Sequence, residues 1–195
     1  MIFFSSDPHY DHTNIIKYCG RTFSNVEAMN ENLIEAWNRV VGYRDSVYFL
    51  GDLMLGENYS KFLRRLNGQI FILNNEYHHD KTWIKEAKKH EEESFSHLHI
   101  EGKSPTTGMI YPLETISVEK QIIVLCHFPL EEWDRKHHGA WHLHGHQHNR
   151  GDSFRKEKKL DVGVDNAKVL LGEYRPFSFD EVRKVMETRG RKEFV

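Results

Sequence analysis

Four histidines crowd into seven residues, His142-Leu143-His144-Gly145-His146-Gln147-His148. Neutral imidazole is a common metal ligand, and a His-rich tract is a compositional signal for metal. In an extended segment, side chains two positions apart leave the same face, so His144, His146 and His148 are expected to share a side. Gly145 admits an ion or another backbone close to the chain. A polar edge strand has the same composition. The deciding question is whether acidic residues elsewhere complete a site.

Such residues stand where strands are expected to end. Residues 1–7 read as a short buried strand that stops on Asp7, and Pro8 then breaks the ladder before His9. Residues 46–50 form a second apolar run leading into Gly51-Asp52. Residues 69–73 form a third, ending at Asn74-Asn75, and residues 121–126 form a fourth, ending at His127. The pooled set is Asp7, His9, Asp52, Asn75, His127, His146 and His148. It offers oxygen and nitrogen donors and no thiolate. That suits manganese, iron or zinc, and it is too rich in nitrogen for calcium or magnesium alone. A structural zinc site is closed by four ligands. This set is too large for one ion and right for two that share a carboxylate.

Several elements must position these donors. Residues 24–41 carry the clearest helical pattern. Ser24-Asn25-Val26-Glu27 reads as a capping box, Val26, Met29, Leu33, Trp37 and Val40 form an apolar stripe, and Gly42 is expected to close the helix. Residues 58–66 read as a short amphipathic helix, and 82–93 as a charged helix with Trp83, Ile84 and Ala87 inward. Strands are expected at 94–100, 115–118 and 121–126, with a turn at 102–108. Residues 141–148 read as a strand or a strand running into a loop, 149–159 as a polar hairpin or turn, and 160–165 as a last core strand. Ser178 to Glu181 caps a final helix reaching Thr188. Alternating strands and helices imply a mixed α/β domain. Ligands in such sheets gather beyond the carboxyl ends of the strands.

The 195 residues fit a single domain, 1–195, with room for a substantial core. A formal net charge of −2 gives no broad electrostatic reason for tight nucleic-acid binding. Cys19 and Cys126 build no disulfide framework and read as reduced thiols of a cytoplasmic protein. The first residues lack the basic and apolar regions of a signal peptide, and no apolar run is long enough to span a membrane.

Taken in order, Asp7-x-His9, Gly51-Asp52, an Asn after the third strand, His127 and Gly145-His146-x-His148 resemble the calcineurin-like metallophosphoesterase family. The resemblance covers nearly the whole chain and is strongest to small, uncapped bacterial and phage members. Asp11 to Ile16, Trp133 to His146 and Asp161-Val162-Gly163-Val164-Asp165 also resemble that subgroup. The resemblance implies a layered α-β-β-α sandwich and two divalent ions, manganese first, with iron, zinc, nickel or magnesium as alternatives. It implies that Asp7, His9 and His148 hold one ion, that Asn75, His127 and His146 hold the other, and that Asp52 bridges. The implied reaction is hydrolysis of phosphate esters by an activated water, in which two cations roughly 3.5–4 Å apart clamp an in-line displacement.

The chain departs from the family after the third strand. The usual Gly-Asn-His-Asp is replaced by Asn74-Asn75-Glu76-Tyr77-His78-His79-Asp80. Asn75 aligns with the metal ligand, with Asn74 and Glu76 as alternatives. His79-Asp80 aligns with the family His-Asp, and His79 or His78 is the candidate acid for the leaving group. His12, His137 and His138 are candidate phosphate contacts or ligand-orienting groups, and solvated loop histidines are the other reading. Arg21, Arg44 and Arg150 read as surface arginines more readily than as phosphate partners. Tyr10, Trp133 and Trp141 are candidates for the pocket rim, the tryptophans equally for the core. His142 and His144 are expected beside the site without binding metal. Expected substrates are phosphodiesters or nucleotides. The alternatives are a phosphomonoesterase, or a non-catalytic scaffold of the same fold that binds a partner protein.

Overall fold

Phe3 and Phe4 are neighbours in sequence but belong to opposite cores, because successive side chains leave a strand on opposite faces. The computed structural model describes residues 1–74, 79–89, 108–150 and 157–189. In chain order the strands are β1 (Ile2–Ser5), β2 (Ser46–Phe49), β3 (Gln69–Leu73), β4 (Gly108–Ile110), β5 (Leu113–Val118), β6 (Gln121–Cys126), β7 (Trp141–His144), β8 (Lys159–Asp161) and β9 (Phe177–Ser178). The helices are α1 (Thr13–Tyr18), α2 (Val26–Val40), α3 (Ser60–Leu63), α4 (Asp80–Lys89), α5 (Val164–Leu171) and α6 (Phe179–Thr188).

One sheet has the order β4-β3-β2-β1-β9, parallel except for the antiparallel β9. The other has the order β5-β6-β7-β8, antiparallel only between β5 and β6. One face of the first sheet packs Phe3, Val47, Phe49, Ile70 and Ile72 against Leu33 and Trp37 of α2, Phe62 of α3, and Trp83 and Ile84 of α4. The opposite face contributes Phe4 and the strand-end residues Leu50 and Leu73 to a second core. That core also holds Ile123, Leu125, Leu143 and Leu160 of the second sheet and Val182 and Met186 of α6. Each such side chain contributes roughly 1.5–3 kcal/mol on burial, so the two cores fix how the sheets sit. The result is a mixed α/β fold with two mixed sheets. Among the described residues, no helix is long and apolar enough to cross a membrane.

Several boundaries differ from the sequence reading. The cap of α2 is Asn25, whose side chain accepts from Ala28 N at 2.8 Å, in place of Ser24. Val41, in place of Gly42, is its C-cap. The helix expected at 58–66 contracts to α3, four residues long. The strand expected at 160–165 stops at Asp161, and Val164 starts α5, an element the apolar run concealed. β4 and the two-residue β9 carry too little pattern to be read alone. The strand expected at 94–100, residues 102–107 of the expected turn and 151–156 of the expected hairpin lie outside the described residues. Tyr10 is no rim residue: it is buried and stacks on Phe62 at 4.4 Å. Trp133 and Trp141 are buried too.

Candidate metal centre

Parallel strands in register end together. Ser5, Phe49 and Ile72 are successive partners across β1, β2 and β3, and Leu125 faces Leu143 across β6 and β7. The segments leaving these ends are laced by backbone hydrogen bonds. Asp7 N donates to Gly51 O (3.0 Å), His9 N to Asp52 O (3.2 Å), and Gly145 N to His127 O (2.9 Å). A bridge between Ser6 and Gly163 joins the two sheets here. Asp7, His9, Asp52, His146 and His148 all have positive φ, between 48° and 71°. Non-glycine residues seldom adopt this region. Its clustering marks a place where surrounding structure holds the backbone against its preference.

Two trios of donors result, Asp7, His9 and His148, and Asp52, His127 and His146. Within each, one ligand atom per residue lies within 4.8 Å of the others. His9 Nε2 is 3.7 Å from Asp7 Oδ1 and 3.5 Å from Asp52 Oδ2, His127 Nε2 is 3.6 Å from Asp52 Oδ2, and His148 Nε2 is 3.8 Å from Asp7 Oδ1. These gaps are too long for hydrogen bonds. Metal bonds of about 2.0–2.2 Å set two ligands of one ion roughly 3–3.5 Å apart, close to what is seen. Asp52 Oδ2 lies near a histidine of each trio. His9 is buried, yet neither ring nitrogen has a hydrogen-bond partner among the described residues, and Asp52 Oδ1 is in the same position. Buried polar atoms left so are costly, and a cation would satisfy His9 Nε2, which faces Asp7 and Asp52, and Asp52 Oδ1. By donor type, spacing and unmet need, the residues fit two divalent ions.

The charge balance points the same way. Burial, then the charges of Asp7 and Asp80, pushes the Asp52 carboxyl up to about 8. Burial, then Asp7, pushes Asp161 up to about 7. Burial also works to raise Asp7, but His9, then His127 and His148, hold it below the usual carboxylate range. His9 is driven down to about 3 by burial. Burial also works to lower His148, but Asp165, then Cys19, hold it up to about 10. Carboxylates so close repel one another, and added positive charge relieves them.

Sequence reasoning named the groups behind the ligands but gave them no supporting role. Asp80 is buried and accepts from Asp52 N (2.7 Å), Leu53 N (2.8 Å) and Trp83 Nε1 (2.6 Å), so it anchors the Asp52 turn. Asp161 accepts from Asn149 N at 3.1 Å and Gly163 N at 2.7 Å. Asp165 accepts from His148 Nδ1 at 2.6 Å and from Arg21. Arg21 is buried, not a surface residue. The Asp-Val-Gly-Val-Asp run that begins on the last residue of β8 was a usable signal for the two aspartates. Arg21 gave none, because nothing local ties it to the site.

The remaining candidates divide. The His79 ring lies 4.8 Å from His9 and 4.9 Å from His12, and these three form a further group within donor reach. Asn75, Glu76 and His78 lie outside the described residues. Asn74 Oδ1 is buried without a hydrogen-bond partner among the described residues. His137 and His138 sit on an exposed 3-10 turn and belong to neither trio; His137 faces Glu132 at 3.9 Å. The expected common side for His144, His146 and His148 does not form. β7 ends at His144, and the turn that follows sends His146 to one trio and His148 to the other. His142 is buried, with Nδ1 donating to Val124 O and Nε2 accepting from Leu130 N, both at 3.0 Å. His144 is also buried and donates from Nδ1 to Gly145 O at 2.8 Å. Arg44 and Arg150 are exposed.

No known family's sequence profile matches the chain. The fold is similar to that in the crystal structure of the protein of unknown function AQ665 from Aquifex aeolicus. The TM-score is 0.67 at 19% identity, over 95% of this chain and 98% of that one. The uncharacterized protein MJ1445 of Methanocaldococcus jannaschii is 36% identical over 196 aligned residues, spanning 95% of this chain and 91% of that one. At that identity and coverage, the chain belongs to the family of MJ1445.

Proposed function

We propose that this protein is a dinuclear metal-dependent phosphoesterase of the calcineurin-like type, hydrolysing phosphodiester or nucleotide-type substrates. The carrying observation is the pair of donor trios with Asp52 Oδ2 near a histidine of each. A helical layer of α2, α3 and α4 on one face of the first sheet, with the second sheet on its other face, suits the α-β-β part of that family's α-β-β-α sandwich. Asp7, His9 and His148 would hold one ion and His127 and His146 the other, with Asp52 between them. Two divalent ions, manganese first and iron, zinc, nickel or magnesium as alternatives, would supply Lewis acidity toward the phosphoryl oxygens and an attacking water. His79, whose ring lies beside His9 and His12, would give a proton to the departing ester oxygen. His12, buried beside His9 and His79, would orient these rings or meet a phosphate oxygen.

The test is hydrolysis of paired aryl phosphate mono- and diesters by protein stripped of metal and reloaded with manganese. Activity is expected to return with the metal and to be lost in Asp52→Ala, and the preferred ester names the substrate class. His79→Ala is expected to lose roughly 10²-fold or more on esters with poor leaving groups and little on nitrophenyl esters, which need no proton. A reloaded protein that holds two ions yet cleaves none of the esters counts against the reading.

A further inference from the structure

Arg21 is committed within the protein at every N–H. Nε donates to Asp165 Oδ1 (2.8 Å), and Nη2 to Asp165 Oδ2 (2.8 Å) and Asp7 O (2.8 Å). Nη1 donates to Pro8 O (2.7 Å) and faces Met29 Sδ (3.3 Å). Its side chain is 0% exposed, so it has neither a donor nor an open face for substrate phosphate. Asp165, its partner, also accepts from His148 Nδ1 at 2.6 Å. A buried ion pair is poor value as stability alone, since desolvation offsets most of the attraction. What this one does is geometric. It ties together two ligands of one trio, Asp7 through its carbonyl and His148 through its ring, and both have left-handed backbone.

We propose that Arg21 and Asp165 form a positioning pair that sets His148 and Asp7 for one of the two ions, and for that ion alone. The proposal rests on the metal reading above. The carboxylate of Asp165 requires the proton of a neutral His148 on Nδ1, which leaves the Nε2 lone pair toward Asp7, where an ion would sit. The other trio is oriented differently: His127 Nδ1 donates to the backbone carbonyl of Leu50 at 3.0 Å. Asparagine cannot replace Asp165. With its oxygen kept toward His148, its NH₂ faces Arg21 Nε, donor against donor. With the amide flipped, the NH₂ faces Arg21 Nη2 and makes His148 Nδ1 an acceptor, which puts the proton on Nε2 and blocks the metal.

The experiment titrates MnCl₂ into the metal-stripped full chain by calorimetry, with bound Mn²⁺ counted by electron paramagnetic resonance. Wild type is expected to take up two ions. Asp165→Asn should weaken one of them roughly 10–100-fold and leave the other unchanged. Arg21→Lys keeps the charge but loses the planar fork, and should weaken the same ion. It also serves if the Asn variant does not fold. In a His148→Ala background, Asp165→Asn should add much less than it costs alone, because only the route through Arg21 to the Asp7 carbonyl remains. Equal weakening of both ions, additive loss in the His148→Ala background, or unchanged binding in both variants overturns the pair's role while the metal reading stands. Wild type that binds no Mn²⁺ overturns the metal reading, and this role with it.

Discussion

The donor loops and the start of α6 lie in one fold under opposite rules. In the loops, five candidate ligands hold left-handed backbone, carboxyls are forced above their ordinary range, and the buried His9 ring has no hydrogen-bond partner among the described residues. At the start of α6 the capping groups are paired. Ser178 Oγ accepts from Glu181 N, Glu181 accepts from Ser178 N at 2.9 Å, and Arg175 reaches both Glu181 oxygens at 2.7 and 3.1 Å. One region lowers stability to concentrate donors, and the other only stabilises. Strain and unmet polarity collect at the proposed site.

The largest test removes the conflict at its centre. Asp52→Asn keeps the shape and deletes the shared charge. Loss of ion-based charge stabilisation worth several kcal/mol, at about 1.36 kcal/mol per tenfold, implies roughly a thousandfold drop in turnover. The same change should stabilise the metal-free protein. A carboxyl raised on folding costs stability above its unfolded value, near 3.8, and the cost grows until about pH 8. Metal-free wild type should therefore fall behind Asp52→Asn as pH rises through that window. Each kcal/mol of the gap is worth roughly 2–4 °C in Tm for a chain of this size. Melting curves of the two metal-free proteins that stay superimposed from pH 4 to 8 would refute the idea that the site is charge-strained.

A second test asks whether close approach, not backbone freedom, is what the donor loops need from glycine. A Cβ at Gly145 would collide with Asp7 Oδ2 and Ser6 Oγ. At Gly172, the C-cap of α5 with φ +83°, a Cβ would meet nothing within 4 Å. Gly145→Ala should cost about 1–3 kcal/mol by overpacking and weaken Mn²⁺ uptake, because Asp7 must move. Gly172→Ala should cost about 1 kcal/mol for its left-handed backbone and leave Mn²⁺ uptake alone. Thermal melts and metal titrations of both variants decide it; Mn²⁺ uptake unaltered in Gly145→Ala would show that Asp7 has room to yield.

The same contrast explains what could be read from the sequence. Donor types beyond strand ends were legible, because an apolar run that stops one to three residues before Asp7, Asp52 or His127 shows the run and its polar stop side by side. The capping box at Ser178 was legible because its logic is local. Strand alternation failed for His144, His146 and His148, because β7 ends within the motif and left-handed turns then set the directions. α5 was hidden because Val162, Gly163 and Val164 continue the apolar run of β8, while a loop turns the chain there. Arg21 and Asp165 lie 144 positions apart, and only the folded chain shows that each is where the other needs it.

The smallest expected effect sharpens the comparison from the stable side. Burial works to raise the Glu181 carboxyl, but Arg175 and the Ser178 amide outweigh it and hold it down at about 2, from an ordinary 4.5. A carboxyl lowered on folding contributes stability that is complete above its unfolded value and is lost as pH falls toward the folded one. Glu181→Gln should therefore cost about 1 kcal/mol at neutral pH, the size of a partly exposed cap and ion pair. Wild type and variant should converge as pH falls from about 4.5 to about 2. Because this cap lies outside both donor trios, Mn²⁺ uptake and ester hydrolysis should match wild type at pH 7. Urea melts across that pH range, read beside a metal titration at neutral pH, test both halves. A variant that loses metal along with stability would mean the two regions are coupled through β9 and β1, and that strain at the site is supported by the cap.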